Sequence, residues 1–115
     1  MNMKLWIDDE RPTPEGYTHT AKTSQEAIDL LDDAMDCGII VEHVSFDHDL
    51  GYNYEDGHSM LVGGVQDDTS RRVMTWMIEN NFWPNTLSIH TQNPVGFEWL
   101  RGTAIRYAPE WVEFQ

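Results

Sequence analysis

A chain of 115 residues with 20 acidic against 7 basic side chains carries a formal charge of −13, which repels nucleic-acid backbones and anionic membranes. Duplex DNA and a membrane are therefore excluded as expected partners. Hydrophobic residues make up 40%, enough for one modest core, and no apolar run reaches the length of a membrane span. The expectation is one soluble domain over residues 1–115, suited to the cytoplasm of a bacterial cell whether the cell or a virus encodes it, with the oligomeric state left open. Cys37 is the single cysteine, which rules out an intrachain disulfide and a multi-cysteine zinc site. It closes an apolar helical stripe, so a buried or partly buried, inert thiol is expected.

In chain order, Met3-Lys4-Leu5-Trp6-Ile7 is a short apolar run ended by Asp8-Asp9, and Pro12 and Pro14 forbid a regular helix directly after it. It reads as the first strand. Tyr17 to Ala21 mixes β-favouring residues with polar neighbours and suits an edge strand. Thr23-Ser24-Gln25-Glu26 has the form of a capping box, followed by Ala27, Leu30, Leu31 and Ala34 at helical spacing, with Gly38 as the stop. A third strand falls within Ile39 to Phe46, most strongly over Glu42 to Phe46, and runs directly into Asp47-His48-Asp49-Leu50-Gly51.

Residues 52–66 have no sustained period and read as a loop insertion beside the expected site, in the position of a lid. Asp67 or Asp68 is placed to cap the next helix, whose Val73, Trp76, Met77 and Asn80 share a side, with Met74 and Ile78 widening it and Pro84 marking its end. Thr86 to His90 is a fourth strand. Asn93 and Pro94 have the pattern of an N-cap and first helical residue, predicting a short helix over Val95 to Arg101 that ends at Gly102. Ile105 to Tyr107 suits a last strand, and Trp111 to Phe114 either covers the core or pairs with a sheet edge. Strands alternating with helices imply a mostly parallel α/β sheet of four to five strands.

Three strand ends thus carry polar groups: Asp8-Asp9, Asp47-His48-Asp49 and His90-Thr91-Gln92-Asn93. In an open parallel sheet ligands bind at the carboxyl ends of the strands, so neighbouring strands would bring these groups to one rim. Asp47 and Asp49, two residues apart, share a side if the backbone stays extended, and with Asp8 and Asp9 they would repel one another unless a divalent cation sat among them. An all-oxygen ligand set favours Mg²⁺ or Mn²⁺, while entry of a histidine moves the preference toward Zn²⁺ or Fe²⁺. His90 and His48 are the proton-transfer candidates. Asn93 and Arg11 are candidates for holding a phosphate oxygen. His19, His43 and His58 read as solvated or structurally bonded, and the tryptophans as packing.

Trp6-Ile7-Asp8-Asp9-Glu10-Arg11-Pro12, Ser45-Phe46-Asp47-His48-Asp49-Leu50-Gly51 and His90-Thr91-Gln92-Asn93-Pro94-Val95-Gly96 together resemble the cyclic-phosphate-processing receiver-like family, a divergent branch of the response-regulator receiver fold. The resemblance runs in order along essentially the whole chain. It implies a flavodoxin-like, receiver-like three-layer sandwich and metal-assisted hydrolysis of a cyclic phosphate, such as a cyclic nucleotide or a 2′,3′-cyclic RNA end. By that likeness Asp8 and Asp9 match the receiver acid pair, Asp47 the phosphoacceptor, and Thr91 the phosphate-facing hydroxyl residue. His48, Asp49, His90 and Asn93 match positions peculiar to the branch. The chain departs from ordinary receivers in lacking the lysine after the last strand, since its lysines are Lys4 and Lys22, and in leaving no room for a first helix between Pro14 and Tyr17. Two alternatives stand beside hydrolysis: capture of a phosphorylated or cyclic nucleotide without turnover, and a free-standing receiver that takes a phosphoryl group on Asp47.

Overall fold

The computed structural model describes residues 2–52 and 67–115, so the expected loop and lid over 52–66 lie outside the described residues, apart from Tyr52. Five strands form an all-parallel sheet in the order β2-β1-β3-β6-β7: β1 (Asn2–Ile7), β2 (His19–Ala21), β3 (Ile40–Phe46), β6 (Thr86–Ile89) and β7 (Glu113–Phe114). β4 (Asp49–Tyr52) and β5 (Asp67–Thr69) form a separate antiparallel pair that the sequence reading did not anticipate. The chain goes from β1 to β2 on one side and then crosses back to β3 on the other, so the sheet reverses direction between β1 and β3. Such a reversal opens the crevice in which doubly wound sheets bind ligands.

Three helices connect the strands: α1 (Ser24–Cys37), α2 (Arg71–Asn80) and α3 (Pro94–Tyr107). α1 packs on β1, β2 and β3, α2 packs between α1 and α3, and α3 meets β6. All three crossovers step the same way along the sheet, and right-handed crossovers then place every helix on one face. Between β1 and β2 the described chain contains no helix, as the space before Tyr17 required. Of the layers of a receiver sandwich, the described residues therefore supply the sheet and one helical layer. The core lies between these two, built from Leu5, Ile7, Val44, Phe46 and Leu87 of the sheet and Ala27, Leu31, Val73, Met77, Leu100 and Ala104 of the helices.

The local signals explain where each helix starts and stops. Thr23 caps α1 by accepting from the Glu26 N–H, but Glu26 returns its bond to the Lys22 N–H, one residue earlier than a capping box places it. Gly38, at φ 69°, ends α1 in the left-handed conformation that glycine adopts without steric cost. Asn81 does the same for α2 at φ 49°.

Several expectations need correction. Asp67 and Asp68 belong to β5 and do not cap α2, whose N-cap position is Ser70. Asp68 instead accepts from the backbone N–H and the hydroxyl of the buried Ser24, at 2.7 and 2.6 Å, and so caps α1 from a distant part of the chain. α3 runs through Gly102 to Tyr107, because a glycine in the middle of an otherwise favourable helix costs only about 1 kcal/mol and the true stop comes from Pro109, which disfavours helix at Ala108. The residues read as a last strand, Ile105 to Tyr107, are accordingly the final turn of that helix. The edge strand is Glu113–Phe114, parallel to β6, with Val112 buried beside it. Cys37 is exposed, since it lies beyond Ala34, the last residue of α1 to reach the core.

Candidate functional site at the sheet rim

The backbone ladder continues one residue past the strands. The Asp47 N–H donates to Ile7 O and the His90 N–H donates to Phe46 O, both at 2.9 Å, while Asp8 N–H reaches Ala21 O at 3.0 Å. These bonds hold Asp8, Asp47 and His90 side by side on three adjacent strands. Asp9, the next residue after Asp8, completes a group in which carboxylate oxygens of Asp8, Asp9 and Asp47 all lie within 4.8 Å of one another. His90 Nε2 stands 3.0 Å from Asp8 Oδ2.

Asp8 is buried, at 1% exposure, yet well provided for. Burial would raise its pKa, but the backbone N–H groups of Arg11 and Glu10 donate to Oδ1 and His90 faces Oδ2, and together they hold the carboxyl below its ordinary range. Asp9 and Asp47 are displaced the other way. Loss of water raises both, and their negative neighbours add to it: Glu10, Asp8 and Asp47 act on Asp9, and Asp8 acts on Asp47. Thr91 opposes part of the rise at Asp47. The site thus holds two carboxylates whose charged forms are disfavoured, first by loss of water and then by their negative neighbours.

His90 is held low by burial, against the pull of Asp8 and Asp47, which favours a neutral ring. Its face lies flat on Trp6, with ring centroids 3.8 Å apart and planes within 6°. Its second nitrogen, Nδ1, is 2.7 Å from Ser45 Oγ. Arg11 reaches across the rim, its Nη1 donating to the His90 carbonyl while Nε lies 3.8 Å from Asp8 Oδ2, so it buttresses the acid group from the open side.

Asp49 stands apart from the acid group. The chain bends at His48, which breaks the alternation that would have kept Asp47 and Asp49 on one side. Asp49 Oδ1 lies 2.9 Å from His48 Nδ1, and Oδ2 accepts from Asn93 Nδ2 at 3.1 Å. These bonds outweigh desolvation and lower the Asp49 pKa. His48 is 5% exposed and both of its nitrogens are engaged, because Arg71 Nε donates to Nε2 at 2.8 Å. Arg71 also lies over the Trp99 ring, 4.7 Å from its centroid.

The His48 ring presses on Gly96 in the first turn of α3, where an added Cβ would stand 2.3 Å from Cγ. Only glycine fits there. Asn93 uses its oxygen to cap α3 at Gly96 N and its amide on Asp49, while Thr91 Oγ1 accepts from Asn93 N–H at 3.2 Å. The expected residues therefore divide into two groups. Asp8, Asp9, Asp47, His90, Thr91 and Arg11 surround the rim, whereas Asp49, His48 and Asn93 form a brace that locks the turn after β3 to α2 and α3. Sequence reasoning assigned no role to Arg71 or Ser45 and read Trp6 only as packing. A signal for Ser45 was present: a polar residue at the alternate position of a parallel strand, where apolar side chains are usual.

An all-parallel sheet that reverses between β1 and β3, with an acid pair after β1 and a single acid after β3, defines a receiver-like α/β protein. The family model of the cyclic-phosphate processing receiver domain matches residues 3–106, and the chain belongs to that family. No curated protein and no solved structure matches it.

Proposed function

We propose that the protein is a divalent-cation-dependent phosphoesterase that opens a cyclic phosphate, either a cyclic nucleotide or a 2′,3′-cyclic RNA end. The observation that supports this most is the convergence of Asp8, Asp9 and Asp47 within 4.8 Å beside His90, whose Nε2 lies 3.0 Å from Asp8 Oδ2. The donor set fits a hard cation: it offers oxygen only, and two of its carboxylates are disfavoured as anions by loss of water and by their negative neighbours. Asp8, Asp9 and Asp47 would hold Mg²⁺ or Mn²⁺, which supplies polarisation of a phosphoryl oxygen and a more acidic bound water. Asp49 belongs to the brace instead. Zn²⁺ or Fe²⁺ enters only if His90 exchanges Asp8 for the cation.

The remaining residues bind and move protons. Arg11 flanks the acids with a planar fork suited to phosphate, and Thr91 presents a hydroxyl beside Asp47. The start of α3 directs its N-terminal dipole toward the same rim, which favours an anion there. His90, with Nε2 at the acid group, is placed to pass a proton to the oxygen released when the ring opens. His48 keeps the rim in register by holding Asp49 and Arg71.

The test is a panel of 3′,5′-cyclic and 2′,3′-cyclic nucleotides incubated with Mg²⁺, Mn²⁺ or Zn²⁺, with phosphorus NMR of the products. A linear phosphomonoester is expected, formed only with metal and lost in Asp47→Asn and His90→Ala. Stoichiometric binding without product would instead establish a capture module. Labelling of Asp47 by a small phosphodonor would establish a phosphoacceptor receiver.

A further inference from the structure

The face of the sheet that bears no helix among the described residues is polar at positions where parallel strands are ordinarily hydrocarbon. Register places His43 beside Thr86 and Ser45 beside Ser88, with His90 following on β6. Their side chains are joined without a gap. His43 Nδ1 is 2.5 Å from Thr86 Oγ1, His43 Nε2 is 3.0 Å from Ser88 Oγ, Ser88 Oγ donates to Ser45 Oγ at 2.7 Å, and Ser45 Oγ is 2.7 Å from His90 Nδ1. His90 Nε2 then meets Asp8 at 3.0 Å.

The direction of this chain follows from its middle. Ser88 Oγ donates to Ser45 Oγ, so Ser45 gives its own single proton to His90 Nδ1, and His90 presents Nε2–H toward Asp8. Ser88, having given its proton to Ser45, accepts from His43 Nε2. That leaves His43 Nδ1 to accept from Thr86 at 2.5 Å, and the single Thr86 proton then turns away from the Glu42 carbonyl, its alternative acceptor at 3.1 Å.

The two ends differ in their surroundings. Ser45 is 2% exposed and His90 is covered by Trp6, whereas His43 and Thr86 line an open groove of about 410 Å³ with Lys4, Tyr17 and Asn85. The wire is covered in its middle and opens on the groove at its far end.

We propose that His43 is a positioning and proton-supplying residue that acts through His90: the chain Thr86, His43, Ser88, Ser45, His90 carries a proton from the groove to the rim. This rests on the phosphoesterase reading above. When His90 gives its Nε2 proton to the departing sugar oxygen, its Nδ1 takes the Ser45 proton, Ser45 takes that of Ser88, and Ser88 takes the Nε2 proton of His43. His43 Nδ1 takes the Thr86 proton, and water in the groove restores Thr86 and leaves as hydroxide. Each group gives one proton and gains one, so both rings end neutral with the proton moved from Nε2 to Nδ1. No residue changes charge. Rotation of the hydroxyls and return of the protons resets the chain.

Two measurements test it. Nitrogen-15 NMR of the histidine-labelled full chain without metal should show His43 and His90 both protonated on Nε2. In Ser88→Ala, His43 loses its Nε2 acceptor and should switch to Nδ1–H, donating to Thr86, while His90 stays as it was. A His43 that is Nδ1–H in the wild type, or one that ignores Ser88→Ala, overturns the proposal whatever the activity. In turnover, His43→Phe and Ser88→Ala should each lower kcat by about tenfold with KM within about twofold. The solvent isotope effect should change from a bowed dependence on deuterium fraction, the mark of several moving protons, to a straight one. A kcat loss with the bowed dependence intact would show that the network only supports the fold and would overturn the relay. Absence of turnover on every cyclic phosphate would remove the phosphoesterase reading and with it the kinetic role, while the NMR result would still decide whether the directed chain exists.

Discussion

Replacing Asp47 by Asn removes one of three mutually repelling carboxylates while keeping an oxygen for the His48 N–H, which Asp47 Oδ1 accepts at 2.9 Å. Two unit charges at the outer limit of that cluster, 4.8 Å, repel by about 3.5 kcal/mol at an effective dielectric constant of about 20 and by about 0.9 kcal/mol in bulk water. Asp47 is half-buried, so a gain of about 1–2 kcal/mol is expected for Asp47→Asn in the presence of EDTA at neutral pH. With a urea slope of about 2 kcal/mol per molar, the unfolding midpoint should rise by roughly 0.5–1 M. Saturating Mg²⁺ should reverse the order: a cation at a hundred times its Kd adds about 2.7 kcal/mol to the wild type, and the variant should gain far less. The pH dependence has a definite sign. Because the folded pKa of Asp47 is raised, the folded wild type takes up that proton before the unfolded chain does and gains stability as pH falls through that pKa. The variant has no such proton to gain, so its advantage should shrink on acidification. A variant less stable than the wild type in EDTA, or one stabilised equally by Mg²⁺, would refute the view of the rim as a strained site awaiting a cation.

Gly96→Ala should cost about 1–3 kcal/mol in urea unfolding, because the new methyl group meets a His48 ring that Asp49 and Arg71 hold from both sides. Unchanged stability and an unchanged His48 NMR signal would contradict the brace. Asp68→Ala should lose about 1–2 kcal/mol by leaving the buried Ser24 without its carboxylate partner, measured in the same way. Asn93→Ala should cost about 1 kcal/mol from the α3 cap, and Asn93→Asp should keep the cap but set a second charge against Asp49. The stability of Asn93→Asp should therefore recover with added salt while that of Asn93→Ala does not.

The parallel strands and the meeting of Asp8, Asp47 and His90 were legible because each strand is a short apolar run that stops in polar residues, and a parallel arrangement brings such stops to one edge; the order of the strands was not. Asn93-Pro94 announced α3 correctly. Its length was misjudged because Gly102 carries a small local cost that the packing of Leu100 and Ala104 outweighs. Asp68 illustrates a different limit. Its local pattern is that of a helix cap, but the bond that decides its role joins it to Ser24, far away in the chain, and no local pattern contains that information. The division of Asp47 from Asp49 turned on one bend at His48. Alternation predicts side only while the backbone remains extended.

His43, Ser45, Thr86 and Ser88 were legible in part. They recur at every second position, alternating with the apolar Val44, Phe46, Leu87 and Ile89, a period-two polar stripe that a covered parallel sheet does not tolerate. Their meaning depends on the missing connection helix between β1 and β2. Where such a helix is present, it claims the strand positions beneath it for hydrocarbon. By forgoing that helix, the described residues release one side of the sheet from the duty of being greasy, and the space set free can serve as plumbing for the chemistry at its edge.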